Sequence, residues 1–111
     1  MIHKGSCHCG KVNFEVETDL EVIKQCNCSI CVRKYAKMGM AKKEQLKITK
    51  GKDNLSLYQF GSNVAKHYFC KTCGVYTHHG RKSDPNGIGF NIGCLEGVNP
   101  FTIKSDILNN K

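Results

Sequence analysis

Eight cysteines occur in this 111-residue chain, and seven of them fall into three short groups. The first group is C-H-C-G, the second is C-N-C-S-I-C and the third is C-K-T-C-G, while Cys94 stands alone. Thiols at such spacing either bind a metal ion or form disulfides. Cys-x-Cys is a poor disulfide because its two side chains are too close and point apart along an extended chain. The spacing therefore favours bound metal.

The first and third groups share a glycine directly after their last cysteine. Cys7 and Cys9 precede Gly10, and Cys70 and Cys73 precede Gly74. A tight metal-binding turn needs a positive φ at that position, which glycine adopts at little cost, and backbone N–H groups can then point at the thiolates. Two such half-sites predict one closed, tetrahedral Cys₄ zinc site that stabilises the fold, although the same ligands also suit iron.

The second group is different because no glycine follows it. Cys26, Cys28 and Cys31 supply three ligands within six residues. Three protein ligands leave the fourth position of Zn²⁺ open to water or substrate, as in catalytic zinc sites. The alternative is that Cys94 closes this second site, which would give two structural zinc ions and no catalysis. Cys94 lies in an apolar strand end, where a single cysteine more often acts as a small buried hydrophobe.

The elements that must position these cysteines are mainly β-strands. Apolar and polar residues alternate through Val12, Phe14 and Val16, which is typical of a half-buried strand. Further predicted strands include Leu46 and Ile48, a hairpin of 55–60 and 64–69, and the segments 75–79 and 88–92. One short helix is predicted over 29–36 with Ser29 as its cap, and the tail from Thr102 is predicted to be loosely held.

Size, charge and hydropathy limit the class of protein. A chain of this length is predicted to form a single zinc-binding domain over 1–111. It shows neither a secretory signal nor an apolar run of membrane-spanning length, so we expect a cytoplasmic protein with reduced thiols. The formal charge of +8 falls to +5 if seven thiolates bind two Zn²⁺ ions. The basic residues are dispersed and no binding motif accompanies them, so nucleic acid is not expected as a partner.

The three cysteine groups and their surroundings resemble one known family. G-S-C-H-C-G-K-V-N-F-E-V, C-N-C-S-I-C and F-C-K-T-C-G, in that order, are similar to the glutathione-dependent formaldehyde-activating enzyme family, and the resemblance runs from Gly5 to about Phe101. It implies an Mss4-like fold of small β-sheets around zinc. It also implies two zinc sites, whose ligands are, for the structural site, Cys7, Cys9, Cys70 and Cys73 and, for the catalytic-type site, Cys26, Cys28 and Cys31.

The activity that the resemblance implies is a carbon–sulfur lyase reaction in reverse, the formation of S-(hydroxymethyl)glutathione from formaldehyde and glutathione. We therefore predict a zinc enzyme acting on a small thiol adduct. Arg33 and Lys34, just after Cys31, are candidates for binding a substrate carboxylate, or else two exposed helix residues. The alternative function is a non-catalytic, zinc-stapled interaction domain. His78 and His79 are candidates for a proton shuttle or a ligand, but the favoured expectation is a strand end with one of the two rings exposed.

Overall fold

The computed structural model describes residues 1–81 and 84–108, and this part of the chain is mainly β-strand with one short α-helix. The prediction of a mainly β fold with one short helix is confirmed. Lys82, Ser83 and the last three residues of the domain predicted over 1–111 lie outside the described residues. The strands are β1 (Ile2–Ser6), β2 (Asn13–Glu17), β3 (Ile23–Cys26), β4 (Met38–Lys42), β5 (Leu46–Lys50), β6 (Leu55–Tyr58), β7 (Lys66–Cys70), β8 (Tyr76–Gly80), β9 (Gly87–Asn91) and β10 (Asp106–Leu108). The helix α1 is Ser29–Lys34, and 3₁₀ turns occur at Lys43–Gln45, Lys52–Asn54, Ile92–Cys94 and Pro100–Thr102.

The strands form two sheets. A three-stranded sheet has the order β1-β2-β5, and a seven-stranded sheet has the order β10-β3-β4-β9-β8-β7-β6. β10 runs parallel to β3, and the other neighbouring pairs are antiparallel. The predicted hairpin of 55–60 and 64–69 is present as β6 and β7.

The core lies where residues of the two sheets meet. Val12, Phe14 and Val16 are all buried, as their alternation with polar residues predicts. Phe14 and Val16 of β2 belong to one apolar cluster with Phe90 of β9. Burial of these side chains is the main favourable contribution that holds the two sheets together.

The helix and the tail depart from the prediction. The helix is shorter than 29–36, and its cap is Cys28 rather than Ser29, because Cys28 has extended backbone (ψ 167°) and Ser29 is already helical. Tyr35 ends the helix by adopting a left-handed conformation with φ 50°. The tail, predicted to be loosely held, supplies β10, whose Leu108 lies opposite Cys26 in the larger sheet.

No helix within residues 1–81 and 84–108 is long and apolar enough to cross a membrane.

Candidate metal centres and the adjoining pocket

The four cysteines of the first and third groups come together in space. Cys7 and Cys9 lie in the connection between β1 and β2, Cys70 ends β7, and Cys73 lies in the turn to β8. Their four sulfur atoms all lie within 4.8 Å of one another. The Sγ atoms of Cys7 and Cys9 are 3.7 Å apart, and those of Cys9 and Cys70 are 3.6 Å apart. Four thiolates around a tetrahedral zinc ion are separated by about 3.8 Å, so these residues fit a closed zinc site.

The two glycines predicted to shape these turns have the expected backbone. Gly10 has φ +82° and Gly74 has φ +76°, and no atom lies within 4 Å of where a Cβ would stand at either position. Backbone conformation rather than space therefore explains why glycine occurs at both positions.

Backbone N–H groups point at the sulfur atoms of this group. The N–H of Val12 donates to Cys7 Sγ at 3.3 Å. Hydrogen bonds from the backbone of Cys9 and then of Val75 lower the pKa of Cys73 to about 6. The backbone of Cys73 likewise lowers the pKa of Cys70. These donors favour the thiolate form, which is the form that binds a metal ion.

The three cysteines of the second group also meet. Cys26 ends β3, Cys28 caps α1 and Cys31 lies in the first turn of the helix, and their sulfur atoms lie within 4.8 Å of one another. The N–H of Cys28 donates to Cys26 Sγ at 3.4 Å. Burial and, after it, the neighbouring Cys28 thiol raise the pKa of Cys31 to about 12. A bound cation favours the ionised form of neighbouring thiols, so three sulfur atoms this close together also fit a metal ion.

Cys94 does not join either group of mutually close sulfur atoms. Its thiol donates to the carbonyl oxygen of Tyr76 at 3.6 Å. Burial and, after it, the charges of Cys7 and Cys73 raise its pKa to about 12. The arrangement therefore does not make Cys94 the fourth ligand of the second group.

A cavity of about 1020 Å³ opens beside the three-cysteine group, and Cys26, Cys28 and Cys31 all line it. Its other described lining residues include Lys24, Lys34 and Arg81 but no aspartate or glutamate. The cavity wall is otherwise largely apolar, with lining side chains that include Ile30, Val32, Met38, Met40, Phe60 and Leu108. Such a pocket suits an anionic molecule that carries a group able to reach the three cysteines.

One wall of the cavity is a chain of contacts around the amine of Lys34. Its Nζ lies 2.8 Å from Nδ1 of His67 and 3.5 Å from the centroid of the Tyr76 ring. The hydroxyl of Tyr76 hydrogen-bonds to Nδ1 of His79. The rings of His67 and His79 are 5.6 Å apart. Each of these residues therefore restrains the next.

The family model for the glutathione-dependent formaldehyde-activating enzyme matches residues 2–109. The chain belongs to this family. Its structure is also similar to the crystal structure of a Rhodobacter sphaeroides protein, with a TM-score of 0.90 and 45% sequence identity. The match covers 95% of this chain and 99% of the Rhodobacter chain. The family resemblance seen in the cysteine motifs is thus confirmed over nearly the whole sequence.

In this member of the formaldehyde-activating family, the cavity keeps its histidines neutral. Burial and, after it, the charge of Lys34 lower the pKa of His67 to about 4. Burial also lowers the pKa of His79 to about 3. Burial lowers the pKa of Lys34 to about 8, while the thiolates of Cys31 and its neighbours oppose that change. The positive charge on this wall is therefore that of Lys34.

The two basic residues predicted to bind a carboxylate have separate surroundings. Lys34 lines the cavity, whereas the guanidinium of Arg33 donates to the carbonyl oxygen of Ser29 at 2.6 Å. Arg33 is exposed and does not line the cavity. The simpler interpretation, an exposed helix residue, holds for Arg33 and is wrong for Lys34.

The sequence analysis missed Tyr76 and the orientation of His79 because a β-bulge changes the expected alternation. Phe69 lies opposite Tyr76, but Tyr68 lies opposite His78, so Thr77 is an extra residue in β8. The bulge lets Tyr76 and His79 contact each other, whereas strict alternation would place Tyr76 with His78. The expectation that one of the two histidines is exposed is wrong, because His78 is buried and His79 is half-buried.

Proposed function

We propose that this protein is a zinc-dependent carbon–sulfur lyase that forms or cleaves the adduct of formaldehyde with a small thiol, such as S-(hydroxymethyl)glutathione. One observation carries the proposal: three clustered cysteines line a cavity of about 1020 Å³. A purely structural metal site would not need a cavity of this size. Membership of the formaldehyde-activating family supports the choice of reaction.

The ligand sets support two zinc ions with different roles. Cys7, Cys9, Cys70 and Cys73 would hold a structural ion, and Cys26, Cys28 and Cys31 would hold an ion with one open position. When bound at the second site, zinc lowers the pKa of a thiol, so that a thiolate nucleophile exists at neutral pH. Both sites require reduced cysteines, which suits a cytoplasmic location.

The protein's own residues would bind the thiol and keep water from it. Lys24 and Arg81 line the cavity with positive charge, which attracts an anionic thiol such as glutathione. Apolar side chains, including Met38, Met40 and Phe60, line the same cavity and exclude bulk water from the reacting atoms.

The proposed reaction can be followed directly by NMR with ¹³C-labelled formaldehyde and glutathione. The zinc-loaded protein is expected to accelerate formation of the hydroxymethyl thioether above its spontaneous rate, and the reverse reaction equally. The control reaction contains S-methylglutathione in place of glutathione, because the S-methyl derivative has no thiol to add to formaldehyde. If the protein leaves both rates at their spontaneous values, the proposed function is wrong.

Cys28→Ser tests which cysteine group carries the activity. The variant is expected to lose one zinc equivalent and at least about 100-fold in rate, because a ligand of the open site is lost. Its fold should persist, since the four-cysteine group is untouched. Mass spectrometry measures the zinc content of the variant, and circular dichroism measures its fold.

Cys94→Ala is the matched control for this experiment. Cys94 is outside both groups of close sulfur atoms, so its replacement should keep both zinc equivalents and the activity. Loss of a zinc ion from Cys94→Ala would instead support the non-catalytic, zinc-stapled domain.

A further inference from the structure

We propose that Lys34 is a catalytic residue of this site, whose ammonium group hydrogen-bonds to the carbonyl oxygen of the aldehyde and protonates it as the carbon–sulfur bond forms. This inference rests on the proposed function. It gives the lysine a part in the chemistry, rather than in binding a distant carboxylate of the substrate.

The helix places Lys34 beside the three-cysteine group. Cys31 and Lys34 are three residues apart in α1, and residues at this spacing lie on the same face of a helix. Both line the cavity, and the thiolates of Cys31, Cys28 and Cys26 act electrostatically on the lysine. Lys34 and the three-cysteine group therefore line the same cavity.

The position of the amine is restrained on two sides. His67 Nδ1 lies 2.8 Å from Nζ, and the face of the Tyr76 ring lies 3.5 Å from it. A neutral His67 accepts a hydrogen bond there, which leaves other N–H bonds of the ammonium for the substrate. The hydrogen bond from Tyr76 to His79 fixes the aromatic ring in turn. His67, Tyr76 and His79 thus act as positioning residues for Lys34.

Within the described lining of the cavity, the charge of Lys34 faces thiols rather than carboxylates. No aspartate or glutamate lines the described part of the cavity. Its close contacts are a neutral ring and a π-face, and the negative groups that act on it are the thiolates of the three-cysteine group. An ammonium group in this cavity would stabilise the negative charge that develops on a substrate oxygen bound beside it.

The chemical step balances without any further reactant. The thiol gives up its proton to become a thiolate, and its sulfur lone pair attacks the carbonyl carbon. The π pair of the C=O bond moves onto oxygen, and that oxygen takes a proton from Lys34. The proton released by the thiol passes to solvent water, and the neutral lysine takes a proton back from the water. The sum is one thiol plus one aldehyde giving one hydroxymethyl thioether, and the reverse sequence cleaves it.

The test compares kcat and KM of the zinc-loaded wild type with those of Lys34→Met, Lys34→Arg and Arg33→Met. Lys34→Met is expected to lower kcat by about 100-fold or more, the usual effect of removing a general acid, with little change in the KM for glutathione. Lys34→Arg keeps the charge but holds its proton too tightly to give it up, so its kcat should fall at least about tenfold. Arg33→Met, one residue away and outside the cavity, should retain the wild-type kcat.

The outcomes separate this inference from the proposed function. An inactive wild type would overturn the proposed function and this inference with it. An active wild type together with a Lys34→Met kcat within threefold of wild type would overturn the role of Lys34 alone, as would an increase confined to KM. Zinc content and the thermal midpoint are measured for every variant. If Lys34→Met fails to fold or bind zinc, Lys34→Arg decides, and a wild-type kcat in that variant overturns the proposal.

Discussion

His78 is a buried residue whose protonation opposes folding. It is 5% exposed, its ring stacks on Tyr68 with centroids 4.6 Å apart, and its Nδ1 lies 2.8 Å from Oγ1 of Thr77. Burial lowers the pKa of His78 to about 4, compared with about 6.5 in an unfolded chain. Below about pH 6.5 the unfolded chain therefore binds a proton that the folded chain does not. The stabilisation is complete above that pH and is lost as the pH falls toward 4.

We expect His78→Phe to weaken this pH dependence. The phenyl ring can keep the stacking on Tyr68, and Thr77 can still donate to the carbonyl oxygen of Tyr68. Between pH 7 and pH 5 the wild type should lose about 2 kcal/mol more of its free energy of unfolding than the variant. Urea unfolding of both zinc-loaded proteins at pH 7 and pH 5 measures this difference. The contributions of other titrating groups are the same in the two proteins and cancel. Parallel curves for the two proteins would contradict this account.

At the scale of the strands, glycines lie opposite aromatic rings. Gly5 lies opposite Phe14, Gly39 opposite Phe90 and Gly89 opposite His79. A Cβ built on Gly89 would be only 2.4 Å from the His79 ring. The His79 ring thus packs over Gly89 and occupies the space that a larger side chain at position 89 would fill.

Gly89→Ala is therefore expected to displace His79 and, through it, Tyr76 and Lys34. Overpacking of this kind costs about 1–3 kcal/mol of stability, and the kcat of the lyase reaction should fall as well. Gly80→Ala is the matched control, because it lies in the neighbouring strand and its added Cβ would find its nearest atom at 3.7 Å. Chemical unfolding and steady-state kinetics on both variants provide the test. Equal effects of the two substitutions would argue against a specific role of the Gly89 position.

The sequence predicts those strands whose signal is local. Alternation identifies β2, and glycine-centred turns identify the hairpin of β6 and β7, because each signal lies within a few residues. β10 has no such signal, since three residues form it and its partner β3 lies about 80 positions earlier. The bulge at Thr77 is equally hidden, because register is set by neighbouring strands rather than by composition.

The cysteine groups were predictable for the opposite reason. Metal-ligand spacing and the glycines after Cys9 and Cys73 depend on local backbone geometry, which the sequence carries directly. The contacts in the cavity wall do not depend on local geometry, since Lys34, His67 and Tyr76 come from three separate elements. Their proximity follows only from the order of strands in the larger sheet.

At the scale of the whole molecule, the four-cysteine group joins the two sheets. Cys7 and Cys9 follow β1 of the smaller sheet, and Cys70 and Cys73 belong to the β7–β8 connection of the larger one. Val12, Leu55 and Val75 pack around Cys7 and Cys70 to form a small second core. A bound metal ion would thus link segments more than 60 residues apart in sequence, and its binding energy would contribute to folding.

Cys9→Ser is expected to destabilise the protein far more than Cys28→Ser. Cys9 is exposed, so the substitution removes a metal ligand with little loss of packing. A loss of about 3 kcal/mol would lower the thermal midpoint of a domain of this size by more than about 10 °C. Cys28→Ser removes a ligand from the other group and should leave the midpoint within a few degrees of the wild type. Calorimetry measures the midpoints of the zinc-loaded proteins and is repeated after chelation of the metal. Chelation should lower the midpoint of the wild type to that of Cys9→Ser or below. Equal midpoints for the two variants would mean that the four-cysteine group does not hold the sheets together.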